Sequence, residues 1–302
     1  MAHAQTQTVL NDRPVRRFFA SVVVLFKLRI VILLLFSSIG GLMLAAHGRP
    51  DMGDLLLLTL TGTMSAAGAS ALNQVLELES DARMRRTQRR PMARGEYRPT
   101  PVVAVSLALV AGAVALALAT GNLTLAFFLG LGAFIYVVIY TVVLKPRTPL
   151  NIVLGGAAGS CAVLAGSAAA GHWADPGAVL LAALVFAWTP THFWSLSLVY
   201  REDYVRAGVP MLPAVVEAPR AAFWMLVHAL FTGGIALLMV THETLGLIYL
   251  VPVGLATASL VRGSLRLFRR PERDQAIEVF KGSNLYLAVA LLAICVDTLL
   301  VL

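Results

Sequence analysis

The sequence predicts an all-α polytopic membrane protein of nine transmembrane helices. Of its 302 residues 58% are hydrophobic and only 13% charged, against roughly a quarter charged in soluble domains, and mean hydropathy is +0.79. Apolar runs long enough to cross a hydrocarbon layer as helix recur throughout the chain. The basic residues alternate with those runs in a way that selects an odd number of spans.

The expected helices cover 22–46, 55–79, 101–119, 123–143, 151–170, 177–199, 221–241, 245–265 and 283–302. Residues 1–17, with Arg13, Arg16 and Arg17, read as a cytoplasmic N-terminal tail, and 18–302 as a single transmembrane domain. With the N-terminus inside, every Lys and Arg except Arg49 falls in or beside an inside segment. The positive-inside rule therefore puts the C-terminus on the outer side. Lys27 and Arg29 in the first apolar segment, with no clear cleavage site after it, argue for a retained helix in the cell membrane.

The net charge of +8 is accounted for by this topology and by an anionic ligand or lipid surface, so no nucleic-acid partner is expected. Cys161 and Cys295 both sit in apolar segments without metal-ligand spacing, which excludes a disulfide framework or a zinc site. Gly155 and Gly159, four apart, read as a close helix-packing pair. Lys145-Pro146-Arg147-Thr148-Pro149 reads as a tight turn that leaves two cations at the membrane surface.

Most chemistry is concentrated between Asn73 and Pro91, NQVLELESDARMRRTQRRP. Asn73, Glu77 and Asp81 are spaced i, i+4 and i+8, so on a helix each is turned about 40° from the last and climbs about 6 Å. They form one polar stripe, which Glu79 does not join. An amide oxygen and two carboxylates suit Mg²⁺, a hard cation that shares its shell with substrate phosphates. The following arginines, Arg86 and Arg90 among them, offer planar forks for phosphate oxygens. Basic loops also arise for orientation alone, but three polar side chains in register at a helix end are costly unless they face protein or water.

A second constellation runs from Trp188-Thr189-Pro190-Thr191-His192-Phe193-Trp194 to Tyr200-Arg201-Glu202-Asp203-Tyr204. Pro190 is expected to kink the sixth helix and open a cavity. Asp203 is a further oxygen ligand, and Arg201 and Arg206 are candidate phosphate contacts. His192 could contact a flat macrocycle, ligate iron, move a proton, or simply hydrogen-bond to a neighbouring helix.

The block Asn73-x-x-x-Glu77-x-x-x-Asp81-x-x-Met84-x-Arg86-Thr87-x-x-Arg90-Pro91 resembles the first motif of the UbiA superfamily of intramembrane prenyltransferases, in its haem-farnesylating branch. The likeness continues through Tyr140-Thr141, Leu144-Lys145, Thr148-Pro149-x-Asn151, Gly155-Gly156, Trp188-Thr189-Pro190, Asp203-Tyr204, Pro210-Met211 and Phe280-Lys281-x-Ser283. It implies a UbiA-like bundle with a central cavity open to the cytoplasmic side, and a Mg²⁺-dependent transfer of a farnesyl group from farnesyl diphosphate to a vinyl group of haem B, giving haem O. Haem B is then a substrate and not a permanent cofactor. Asn73, Glu77, Asp81 and Asp203 are the implied catalytic and metal residues. Lys27, Arg29, Arg86, Arg90, Lys145, Arg147 and Arg201 are the implied diphosphate contacts, and His192, Trp188 and Trp194 line the haem.

This chain departs from the pattern at four places. Glu77 replaces an aspartate common in the superfamily; Leu28 replaces the proline of a Lys-Pro-Arg; Ala162-Val163 replaces a proline pair; and Val199 and Ala207 leave the second aspartate motif incomplete around Asp203. A homo-oligomer and a downstream haem-processing partner stay open, as do two rival functions: prenylation of a quinone or chlorophyll precursor, and a non-enzymatic transporter.

Overall fold

The structure, a computed structural model, describes residues 19–300. The expected tail over 1–17 lies outside them. Among the described residues nine helical segments are long and apolar enough to cross a membrane. In order they are α1 (Leu28–Ala45), α2 (Met52–Leu76) with its extension α3 (Leu78–Arg83), and α4 (Pro99–Ala119). Then come α5 (Leu123–Phe134), continued by a π-helix over Ile135–Leu144, and the pair α6 (Asn151–Gly155) and α7 (Ala157–Ala169). After α8 (Pro176–Val199) come the short α9 (Arg201–Arg206) and α10 (Leu212–Val215), followed by α11 (Ala218–Leu238), α12 (Leu247–Arg269) and α13 (Arg273–Leu300).

Several boundaries differ from the sequence expectation. The first helix is interrupted at 26–27, where Lys27 adopts a left-handed conformation at φ 48°. The break therefore exists without the missing proline. The second helix stops at Leu76, one residue short of Glu77, and restarts as α3. α7 runs unbroken through Ala162-Val163, and the interruption falls instead at Gly156. The last helix begins ten residues early, because its first turns carry Arg273, Asp274, Glu278 and Lys281 and hydropathy alone undervalues them.

At the middle of the bundle α1 contacts α2, α7, α8 and α13. The α1–α7 crossing is close because Gly41 faces the Val163 carbonyl and Gly166 faces the Ser38 carbonyl, and a methyl group at either position would collide with backbone. Small residues at such a crossing let helices touch where lipid offers no hydrophobic drive between them. Gly155 and Gly159 also pack tightly, but against different neighbours, the Tyr140 ring and Val185 of α8.

The ends of the helices are asymmetric. α2, α5 and α8 all start at the face away from the basic loops, and each has a side-chain N-cap: Asp51 accepts from Gly53 N–H at 2.7 Å, Asn122 from Leu125 at 2.9 Å and Asp175 from Ala178 at 2.8 Å. At α12, which starts at the same face, Asp297 of α13 performs the task, accepting from the Gly246 and Tyr249 N–H groups at 2.6 and 2.8 Å while only 1% exposed. These contacts satisfy amides left free by the helix start and place negative charge at its positive end. Asp297→Ala is expected to lower stability in detergent by about 1–3 kcal/mol, the cost of leaving buried donors unpaired, with Asp297→Asn losing less; thermal unfolding of the two purified variants checks this.

Candidate active site

The candidate site lies where the opposite, basic end of the bundle closes over the helices. Asn73, Glu77, Asp81 and Asp203 are all buried, at 1%, 6%, 3% and 5% exposure. Carboxylates this deep require partners, and each has one.

The break before α1 supplies the first. Gln74 turns away from the stripe and donates from Nε2 to the Val24 and Leu25 carbonyls at 2.8 and 2.7 Å, the groups next to the break. With the backbone so held, Lys27 Nζ donates to Asn73 Oδ1 at 2.5 Å and to the Tyr136 hydroxyl at 3.0 Å. Asn73 Nδ2 in turn donates to Glu77 Oε1 at 2.8 Å and to Thr141 Oγ1 at 2.9 Å.

The π-helix supplies the second. Thr141 Oγ1 donates to the Tyr136 carbonyl five residues earlier at 2.8 Å. Tyr136 and Tyr140 stack with centroids 5.9 Å apart and planes within 8°. The wider turn ends in Lys145, whose ammonium group pairs with Glu77. Burial alone would raise the Glu77 carboxyl, but the charges of Lys145 and Lys27 outweigh it and hold the group below its ordinary range. A π-turn within an α-helix often marks a functional site, and here it brings one hydroxyl, two phenols and a cation to the stripe.

The segment after α3 supplies the rest. Thr87 Oγ1 donates to the Asp81 carbonyl at 3.0 Å, and Arg90 pairs with Asp81 Oδ2 at 2.6 Å. Arg86 joins the two constellations: its backbone N–H donates to Asp203 Oδ2 at 3.1 Å, its guanidinium donates to the Tyr204 hydroxyl at 3.3 Å and lies 5.7 Å from the centroid of the Tyr200 ring. Arg206 completes Asp203 at 3.3 Å. Lys145, Arg86, Arg90 and Arg206 thus surround three carboxylates, leaving positive charge for a polyanion, and Lys27, whose pKa is pushed down to about 7 by burial, adds to it when protonated.

Not every sequence-predicted residue joins this cluster. Arg147 is exposed and donates to the Val142 and Val143 carbonyls, closing the π-helix end. Arg29 and Arg201 are exposed at the starts of α1 and α9, whereas Arg206 pairs with Asp203. Among the described residues no three His, Cys, Asp or Glu side chains converge closely enough to cage a metal. The residues expected to hold magnesium, Asn73, Glu77, Asp81 and Asp203, are all buried at this end of the bundle. The buried oxygens fit a magnesium ion bound by one or two carboxylates that completes its shell with water and phosphate oxygens.

Among the aromatic residues Trp188 and His192 stack with centroids 4.4 Å apart. Trp194 does not join them. It is buried in a separate cluster with its ring edge-on to His228 at 5.5 Å, because the helical turn carries it to another face of α8. Sequence reasoning missed Tyr136 and Gln74. The available signal was a polar side chain inside an otherwise apolar span, which marks function by default.

An all-helical bundle of membrane-crossing length with a buried, cation-rich oxygen cluster at one end defines a polytopic membrane protein built to hold an anionic ligand. The UbiA prenyltransferase family matches residues 34–290, and the chain belongs to it. It is 40% identical to the protoheme IX farnesyltransferase of Thermus thermophilus over 273 residues, covering 90% of this chain but only 45% of that protein. The chain thus spans less than half the length of that relative. Protoheme IX farnesyltransferase 1 of Paramagnetospirillum magneticum is 40% identical over 281 residues, 92% of this chain and 98% of its own. Two solved structures share the fold: an apo UbiA homologue from Aeropyrum pernix (TM-score 0.68, 20% identity, 87% of this chain and 96% of that one), and an Archaeoglobus fulgidus homologue bound to GPP and Mg²⁺ (TM-score 0.61, 15% identity, 91% and 99%).

Lys145→Met removes the ammonium group paired with Glu77 and leaves that buried carboxylate with the Asn73 amide as its one direct hydrogen-bond donor among the described residues, which is expected to destabilise the protein by about 3–5 kcal/mol. Adding Glu77→Gln removes that charge and is expected to recover most of the loss. Thermal unfolding of the single and double variants in the same detergent checks the non-additivity.

Proposed function

We propose that this chain transfers a farnesyl group from farnesyl diphosphate to a vinyl group of haem B, with addition of water, giving haem O and diphosphate. The reading is supported chiefly by the joined constellations: Arg86 links the Asn73–Asp81 stripe to Asp203 within one cation-rich site, in a chain 40% identical to proteins named for this reaction. Lys27, Lys145, Arg86 and Arg90 bind the diphosphate and stabilise the charge that grows on it as the allylic C–O bond breaks. Asn73, Glu77, Asp81 and Asp203 would hold magnesium, which would neutralise the same oxygens. Lys145, Arg90 and Arg206, which pair with those carboxylates, lie within that same cation-rich site.

The farnesyl chain extends into the apolar bundle, which keeps water from the allylic cation. The vinyl π electrons form the new carbon–carbon bond, and the cation left beside the porphyrin takes the oxygen of water and loses a proton. No enzyme nucleophile is needed. The site opens to the cytoplasm, with the N-terminus inside, the C-terminus outside and the whole chain in the cell membrane as one domain after its tail. All the basic loops fall on one face under this arrangement.

Asp81→Asn is expected to insert and fold normally yet lose most turnover. Mass spectrometry of haem extracted after incubation with magnesium, haem B and farnesyl diphosphate checks this, and normal haem O formation by the variant would reject the role. Parallel incubations with quinone and chlorophyll precursors separate the haem reading from other prenyl acceptors.

A further inference from the structure

His192 sits between two rings. Trp188 covers one face with planes 17° apart, and Phe280 of α13 covers another at a centroid distance of 4.8 Å and 30°. Phe193 stands nearly perpendicular to the ring at a centroid distance of 5.0 Å, so the side chain has little face left with which to stack on a flat acceptor and offers its nitrogen edge.

That edge is chemically specified by Ser283. His192 Nδ1 lies 3.0 Å from Ser283 Oγ. The same Oγ lies 2.8 Å from the Phe280 carbonyl oxygen, as donor. A hydroxyl has one proton. If it went to the imidazole, two oxygens would face each other at 2.8 Å with no hydrogen between them. Committed to the Phe280 carbonyl, it leaves Oγ free to accept, so His192 Nδ1 must carry a proton. Ser283 is itself held: it is fully buried, and its carbonyl accepts from Trp188 Nε1–H at 2.8 Å, which ties the stacking tryptophan to the same turn of α13. Nε2, on the far side of the ring, has no hydrogen-bond partner among the described residues and is not sealed in.

We infer that Ser283 is a positioning residue that fixes neutral His192 as the Nδ1–H tautomer and thereby presents the Nε2 lone pair, edge-on, to the prenyl acceptor. The pattern is that of a histidine whose second nitrogen is oriented by a hydrogen bond so that the first can act as a Lewis base. The acceptor half of this inference rests on the haem reading above, but the tautomer half does not.

Nitrogen NMR of the full chain labelled with ¹⁵N-histidine, in lipid nanodiscs at mildly alkaline pH and assigned by subtraction of His192→Asn, reads the protonated nitrogen directly. The expected wild-type result is a proton on Nδ1. Ser283→Ala should give a tautomer mixture with protonated Nε2, and Ser283→Thr, which keeps the hydroxyl, should restore the wild-type signal. Transfer to haem B by Ser283→Ala should fall about tenfold or more with affinity for farnesyl diphosphate unchanged. A His192 signal that is the same in Ser283→Ala and wild type, or a wild-type proton on Nε2, would overturn the inference. A wild-type Nδ1 proton in a protein that does not farnesylate haem B would uphold the tautomer and reject the haem reading alone.

Discussion

Buried carboxylates at the end of a membrane bundle have to be compensated, and that requirement explains most of the irregular structure in this protein. An unpaired ion at such depth costs several kcal/mol, more than any one turn or cap contributes. The left-handed residue at Lys27, the π-helix that ends at Lys145 and the folded segment that brings Arg90 to Asp81 are three solutions to the same problem. Regular helices would have placed all three cations elsewhere. The rest of the bundle, with its glycine crossing at α1 and α7, supplies the rigid frame against which those departures are held.

Pairing also prepares the site for a ligand of mixed charge. The carboxylates are stabilised by cations before any ligand arrives. Under the proposed reaction a diphosphate with its counter-ion would bring both charges together, so the protein could exchange partners without leaving an ion uncompensated. Beneath that layer the buried side chains are mostly apolar, with hydroxyls such as Thr191 and Ser283 among them. Paired charge at one end and a close-packed frame behind it thus follow from one arrangement of the nine membrane-crossing helices among the described residues.

Much of this was legible in the sequence, because it depends on simple periodicities. Apolar runs of crossing length gave the spans, alternation of basic loops gave a common face, and the four-residue spacing of Asn73, Glu77 and Asp81 placed them on one stripe. Less legible was anything that depends on a break in regular structure. Lys145 and Arg147 look equivalent two residues apart, yet the π-turn sends one to Glu77 and the other to free carbonyls of its own helix end. Trp188 and Trp194 look like one aromatic box, yet six residues of helix separate their faces. Gln74 sits beside Asn73 and reads as a neighbour, although it acts in the opposite direction, on the backbone that carries Lys27.

The central claim is that the Glu77–Lys145 pair is retained for ligand binding and not for holding the fold. Calorimetric titration of a non-hydrolysable farnesyl diphosphate analogue, with magnesium, into the folded Glu77→Gln/Lys145→Met protein separates those two roles. The account predicts a protein that stays folded and binds at least about thirtyfold more weakly than wild type, the equivalent of about 2 kcal/mol. Wild-type affinity in that variant would contradict it.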